Sequence, residues 1–202
     1  MIGIIDYRAG NVGSIQNIIK YVGGNSFISS DIQELSRADK LILPGVGSFD
    51  YGVEQLRKYN LDKFIIESAS KKGVPLLGIC LGMQLLGKSS DEGRLEGLGL
   101  FDAKIKKFNI EDKKYKIPHM GWNSVEITKK NKLLSQSKFY KFYFVHSFFF
   151  EPQIDEIRFG VTNYYKNFTS FAHSENIYGV QFHPEKSHKY GMELFKNFLK
   201  LK

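Results

Sequence analysis

The chain carries a single cysteine, Cys80, in the run Pro75-Leu76-Leu77-Gly78-Ile79-Cys80-Leu81-Gly82-Met83-Gln84-Leu85-Leu86. An apolar strand, then Gly-x-Cys-x-Gly, then a helical pattern is the signature of a nucleophile elbow, here with sulfur in place of a serine oxygen. A thiol at that turn stands at a helix N-terminus, where free N–H groups and the helix dipole favour the thiolate. A lone cysteine is more often a small buried hydrophobe, so the reading needs a base and a group to orient it. The run Tyr178-Gly179-Val180-Gln181-Phe182-His183-Pro184-Glu185 offers both. His183 closes an apolar strand, and Pro184 biases it toward an extended backbone. Glu185 follows two positions later, where its carboxylate can turn back to the imidazole and fix its tautomer.

Rival chemistries have weaker support. His119 and His146 stand in aromatic strand contexts, as satisfied core or as site lining. His173 lacks the strand–His-Pro-Glu setting of His183, and His188 falls on the last helical segment. No cysteine pair and no His-x-x-x-His spacing supports a metal centre. Gly82-Met83-Gln84-Leu85-Leu86-Gly87-Lys88-Ser89 matches a phosphate-loop pattern. That loop needs a flexible backbone wrapped around phosphates, whereas Met-Gln-Leu-Leu is a good helix former. The elbow and the phosphate loop exclude each other, and the elbow is the better physical fit.

The elements that must hold these residues follow an α/β pattern. Ile2 to Asp6, Lys40 to Leu43 and Pro75 to Ile79 are apolar strands; Asn11 to Val22 and Leu61 to Lys72 carry helical spacing. Continuous apolar strands between helices predict a parallel sheet covered on both faces, an open flavodoxin-like architecture. After about residue 95 the texture changes to short aromatic strands: Phe101 to Phe108, Trp122 to Thr128, Phe139 to Phe150, Glu156 to Tyr165, Phe168 to His173 and Ile177 to Phe182. These predict antiparallel or mixed strands added to the parallel core, before a final helix over Ser187 to Leu201. No linker or repeat divides residues 1–202, so a single domain is expected. Ligands of open α/β sheets bind at the carboxyl ends of the strands. There the loop after Asp6, the Pro44 to Ser48 turn and the Cys80 elbow would compete for the site.

The composition of this 202-residue chain, 42% hydrophobic, suits one ordinary globular core. No apolar run reaches the roughly 18 residues of a membrane span, and Met1 to Asp6 reads as a strand, not a signal. A free thiol without a disulfide partner suits a reducing compartment, so a cytoplasmic location is expected. The net charge of +8 raises nucleic acid as a partner. The lysines are dispersed pairs such as Lys71-Lys72 and Lys113-Lys114 without an arginine stripe, so neither nucleic acid nor a membrane is expected.

The Cys80 and His183 runs together resemble the class I glutamine amidotransferases. More narrowly, Asp6-Tyr7-Arg8-Ala9-Gly10-Asn11, Leu43-Pro44-Gly45-Val46-Gly47-Ser48-Phe49, Pro118-His119-Met120-Gly121-Trp122-Asn123, Phe144-Val145-His146-Ser147 and His183-Pro184-Glu185-Lys186-Ser187 are similar to the glutaminase subunits of imidazole glycerol phosphate synthases, from end to end in the same order. The resemblance implies that Cys80 attacks the side-chain amide of glutamine, with His183 as base and acid and Glu185 orienting it. It also implies oxyanion donors among the backbone N–H groups of Val46, Gly47 and Leu81, and substrate contacts from Gln84, Glu92 and Ser147. No cofactor is implied. The expected partner is a cyclase subunit, forming a heterodimer that docks on Asn11, Met120, Trp122 and Lys186 and receives ammonia for histidine biosynthesis. Two departures stand out. Arg8 occupies a position that is more usually small, and the tail Glu185-Lys186-Ser187-His188-Lys189-Tyr190-Gly191 looks like a paralogous branch that supplies ammonia for amidino sugars. A non-catalytic binding subunit on the same fold is the remaining alternative.

Overall fold

The computed structural model describes residues 1–136 and 138–201. In chain order its elements are β1 (Ile2–Ile5), α1 (Val12–Tyr21), β2 (Ser26–Ser29), α2 (Ile32–Leu35), β3 (Lys40–Leu43), α3 (Phe49–Lys58), α4 (Leu61–Ser70), β4 (Leu76–Ile79) and α5 (Leu81–Leu85). Then come β5 (Ser89–Ser90), β6 (Ala103–Lys107), β7 (His119–Ile127), β8 (Tyr140–His146), β9 (Phe148–Pro152), β10 (Arg158–Tyr164), β11 (Lys166–Ser174), β12 (Ile177–Val180) and α6 (His188–Leu199). Short 3₁₀ turns cover Asp155–Ile157 and Pro184–Lys186.

The strands run in the order β2-β1-β3-β4-β12-β11-β10-β7-β8. The first five are parallel, which is the flavodoxin-like core with its last strand supplied from the far end of the chain. From β12 outward the pairing becomes antiparallel, and β6 and β9 form an antiparallel branch. Alternation along the parallel strands divides the core in two. Ile2, Ile4, Ile42, Leu77 and Ile79 pack with α1 and α6 residues such as Ile15, Ile19, Leu194 and Phe198. Ile5, Leu41, Leu43 and Leu76 pack with Leu35, Leu56, Ile65 and Leu85 on the opposite face. The expected fold class is the observed one.

Three expectations change in detail. The Phe139 to Phe150 segment is two strands, broken at Ser147, because the chain must leave its pairing with β7 and turn to pair with β6 and β11. β7 begins at His119, three residues before the expected Trp122. The sequence reading missed α3, β2 and α2; β2 is only half-buried over Ser26-Phe27-Ile28 and lacks the apolar continuity of its neighbours. Gly82 to Leu85 are helical in α5, so no phosphate loop exists there.

Candidate active site

The elbow is built by backbone conformation and close packing. Cys80 has φ 53° and ψ −111°, a left-handed φ that is costly for a residue with a Cβ and is held here by its surroundings. Its N–H donates to the Val180 carbonyl at 2.8 Å, and its own carbonyl accepts from the Gln84 N–H at 3.2 Å. The flanking glycines are required by contact: a Cβ on Gly82 would lie 1.8 Å from the Leu43 carbonyl oxygen, and one on Gly78 would lie 2.9 Å from that of Gly82. The two strand ends are thereby drawn against each other, and the three expected loops converge. The Tyr7 hydroxyl donates to the Pro44 carbonyl at 2.7 Å, and a Cβ on Gly45 would meet both that hydroxyl and the Gly82 nitrogen.

His183 is locked as the sequence suggests. Its N–H donates to the Tyr143 carbonyl at 2.8 Å, and its carbonyl accepts from the Ser187 hydroxyl at 2.6 Å. Nδ1 lies 2.8 Å from Glu185 Oε1, and both side chains are 2% exposed. A carboxylate can only accept, so Nδ1 carries the proton and Nε2 is left for the thiol. Burial disfavours the imidazolium, but the Cys80 and Glu185 side chains outweigh it and raise His183 well above its ordinary 6.5. Nε2 is buried with no hydrogen-bond partner of good geometry among the described residues.

Cys80, Leu81, Gln84, Val46, Gly47, Glu92, Ser147 and His183 line one cavity of about 310 Å³. Glu92 Oε2 accepts from the Phe49 N–H at 2.9 Å, leaving its other oxygen for a ligand. Gln84 spends both amide protons on the protein, one on the Phe148 carbonyl at 3.0 Å and one on Gln181 Oε1 at 3.1 Å. Its Oε1 is the atom it can offer a substrate. Among the expected oxyanion donors, Val46 requires a correction: its N–H donates to the Ala9 carbonyl at 2.8 Å, so in this conformation it is not aimed at the cavity. Gly47, at φ 111°, and Leu81 keep N–H groups without partners among the described residues.

Gln181 was not singled out beforehand. It is fully buried, and its Nε2 reaches the Cys80 sulfur at 3.8 Å. The available signal was an uncharged polar residue interrupting the apolar run from Ile177 to Phe182. His146 lines the same cavity, whereas His173 stacks on Tyr178 and bonds the Glu175 carbonyl, a packing role. The residues expected at a docking face lie outside the cavity and exposed. Met120 is 61% and Trp122 48% exposed, Lys186 sits over the Tyr143 ring, and Asn11 caps α1 by accepting from the Ser14 N–H. Arg8 adopts φ 66°, the region where a glycine is least strained. Its guanidinium reaches Asp6 at 3.6 Å.

This geometry has known counterparts. Residues 5–201 match the family described as Glutamine amidotransferase class-I. The chain belongs to the class I glutamine amidotransferases. It is 51% identical to a protein of Methanococcus maripaludis named imidazole glycerol phosphate synthase subunit HisH 2, over 99% of both chains. It is 44% identical to a protein of that name from Pseudomonas aeruginosa, over the full length of both, and 42% identical to a HisH subunit of Leptospira borgpetersenii, again over both full lengths. Among solved structures, PurLQS of Thermotoga maritima superposes with a TM-score of 0.74 at 18% identity, covering 98% of this chain and 96% of that one. A crystal structure titled glutamine amidotransferase gives 0.76 at 15%, covering 98% and 97%. As a member of this family, the chain is a glutamine amidotransferase enzyme, and its described residues include no helix able to cross a membrane.

Proposed function

We propose that this amidotransferase is the glutaminase subunit of an imidazole glycerol phosphate synthase, acting through Cys80, His183 and Glu185. The single observation that carries the catalytic part is the Glu185–His183 bond at 2.8 Å, beside a strained cysteine in the same cavity. Cys80 Sγ attacks the side-chain carbonyl carbon of glutamine and forms a C–S bond, giving a tetrahedral oxyanion. His183 donates its Nε2 proton to the departing nitrogen as the C–N bond breaks, releasing ammonia. It then takes a proton from the water that attacks the thioester, and glutamate leaves as the thiol is restored. Leu81 and Gly47 supply N–H groups to the oxyanion, each such donor lowering the barrier by about 3 kcal/mol. Glu92 faces the ammonium of glutamine, and Gln84 and Ser147 complete the pocket.

The histidine-pathway assignment rests on the names and full-length similarity of the relatives. In that reading, residues 1–202 form a single domain in the cytoplasm, and the subunit pairs one-to-one with a cyclase subunit that docks on Asn11, Met120, Trp122 and Lys186. It passes ammonia to that partner, which makes imidazole glycerol phosphate and an aminoimidazole carboxamide ribotide by a lyase reaction. Because Val46 is held by Ala9, the isolated chain has an incomplete oxyanion site, and docking raises its glutaminase rate. The test is glutamine hydrolysis with and without the cyclase subunit, together with rescue of a histidine auxotroph. A large partner-dependent rise and rescue support the reading. Equal rates defeat the partner dependence, and an active glutaminase that fails to rescue defeats the pathway.

A further inference from the structure

Two histidines that the mechanism does not use are joined at the back of the cavity. His119 and His146 face each other across the β7–β8 pair, and His119 Nδ1 lies 2.9 Å from His146 Nε2. Both are buried, at 3% and 6% exposure. His119 is stacked between Tyr164 at 4.0 Å and Phe144 at 4.8 Å.

The tautomers can be deduced. His146 Nδ1 lies 2.8 Å from the Phe148 carbonyl, which only accepts, so Nδ1 bears the proton and Nε2 accepts in a neutral ring. His119 Nδ1 must then donate, and its Nε2 accepts from Asn123 Nδ2 at 3.2 Å. The second proton of that amide goes to the Asn163 carbonyl at 2.9 Å. Every atom in this chain has one direction. Protonating either ring would set two N–H groups against each other, and burial agrees, lowering His119 to about 4 and His146 to about 3.

The chain of bonds ends on a functional atom. The Phe148 carbonyl that accepts from His146 also accepts from Gln84, whose other proton goes to Gln181, which in turn reaches the Cys80 sulfur. Val145, Ser147 and Phe148, the neighbours of His146, are cavity wall. At its other end, His119 precedes the exposed Met120 on the strand that also presents Trp122.

We infer that His119 and His146 are positioning residues, a buried neutral imidazole relay that fixes the Val145–Phe148 wall and Gln84 for glutamine and ties that wall to the β7 edge. The inference deepens the glutaminase reading and rests on it. The test compares His119→Phe, which keeps a ring between Phe144 and Tyr164 but removes the donor, with His119→Asn, which keeps a donor near the Nδ1 position. Each is assayed as the complex with the cyclase subunit. His119→Phe is expected to raise the KM for glutamine roughly tenfold with kcat changed less than about threefold, and His119→Asn to return KM to within about twofold of wild type. An unchanged KM in His119→Phe, or equal damage in both variants, overturns the inference. Should the variants fail to fold, ¹⁵N spectra of the wild-type imidazoles decide: both rings neutral with the proton on Nδ1 is expected, and a charged ring or the opposite tautomer at neutral pH overturns it. A wild-type complex with no glutamine turnover defeats the underlying reading instead, and the nitrogen spectrum still judges the relay.

Discussion

Two buried couples, His183 with Glu185 and His119 with His146, each put one imidazole into the lining of the same cavity, and their electrostatics are opposite. His183 has a carboxylate on one nitrogen and a thiol near the other, and it is driven toward the charged form. His146 is almost equally inaccessible, but its neighbours are a carbonyl and a second imidazole, and it is held neutral. Burial alone favours the neutral ring in both places. What decides the charge is the partner. One cavity thus holds an imidazole pushed toward charge beside the cysteine and a neutral one in its wall.

The largest expected effect removes the thiol beside His183. In Cys80→Ala, glutamine turnover by the complex should fall at least about 10³-fold, while turnover with free ammonia persists; an ¹⁵N titration should show His183 losing protons at lower pH than in wild type. Glu185→Gln comes next. It should reduce kcat roughly 10²- to 10⁴-fold, because an amide can stabilise the wrong imidazole tautomer, and stopped-assay kinetics would check it. A variant that keeps near-normal kcat would break the comparison at its centre.

The second pair is tested by acid. A histidine lowered by folding contributes stability that is complete above its unfolded value near 6.5 and is lost as pH falls through the folded value, here about 4 for His119 and about 3 for His146. Denaturant midpoints of wild type should therefore fall between pH 6.5 and 3. His119→Asn should flatten that limb by at least about 1 kcal/mol. His183 contributes with the opposite sign, its stabilisation being full below 6.5 and lost as pH rises through its raised folded value. The smallest effect is expected at Tyr7, whose buried hydroxyl donates to the Pro44 carbonyl. Tyr7→Phe should cost about 1 kcal/mol in chemical unfolding by stranding the Pro44 carbonyl.

The first pair was legible in the sequence, and the second was not. Gly78, Cys80 and Gly82 announce a turn that only small neighbours permit, and His183 and Glu185 lie close enough in sequence to bond. Among the parallel strands β1, β3 and β4 were equally readable, since burial on both faces makes them continuously apolar, whereas the half-buried β2 was not. His119 and His146 are 27 residues apart, and their pairing depends on the β7–β8 register, which local pattern does not fix. The same holds for Gln181 and for the break at Ser147, where tertiary pairing with β6 and β11 overrides a continuous aromatic run. The Val46 N–H could not be read at all, because sequence specifies a glycine-rich turn without fixing which way its amide points.

The central claim is that Cys80 is the atom on which glutamine is opened. Its most direct test is mass spectrometry of the complex treated at neutral pH with a glutamine-like electrophile, with and without competing glutamine. The account predicts one adduct, on Cys80, suppressed by glutamine and absent from Cys80→Ala. An unmodified Cys80 in a complex that still hydrolyses glutamine would contradict it.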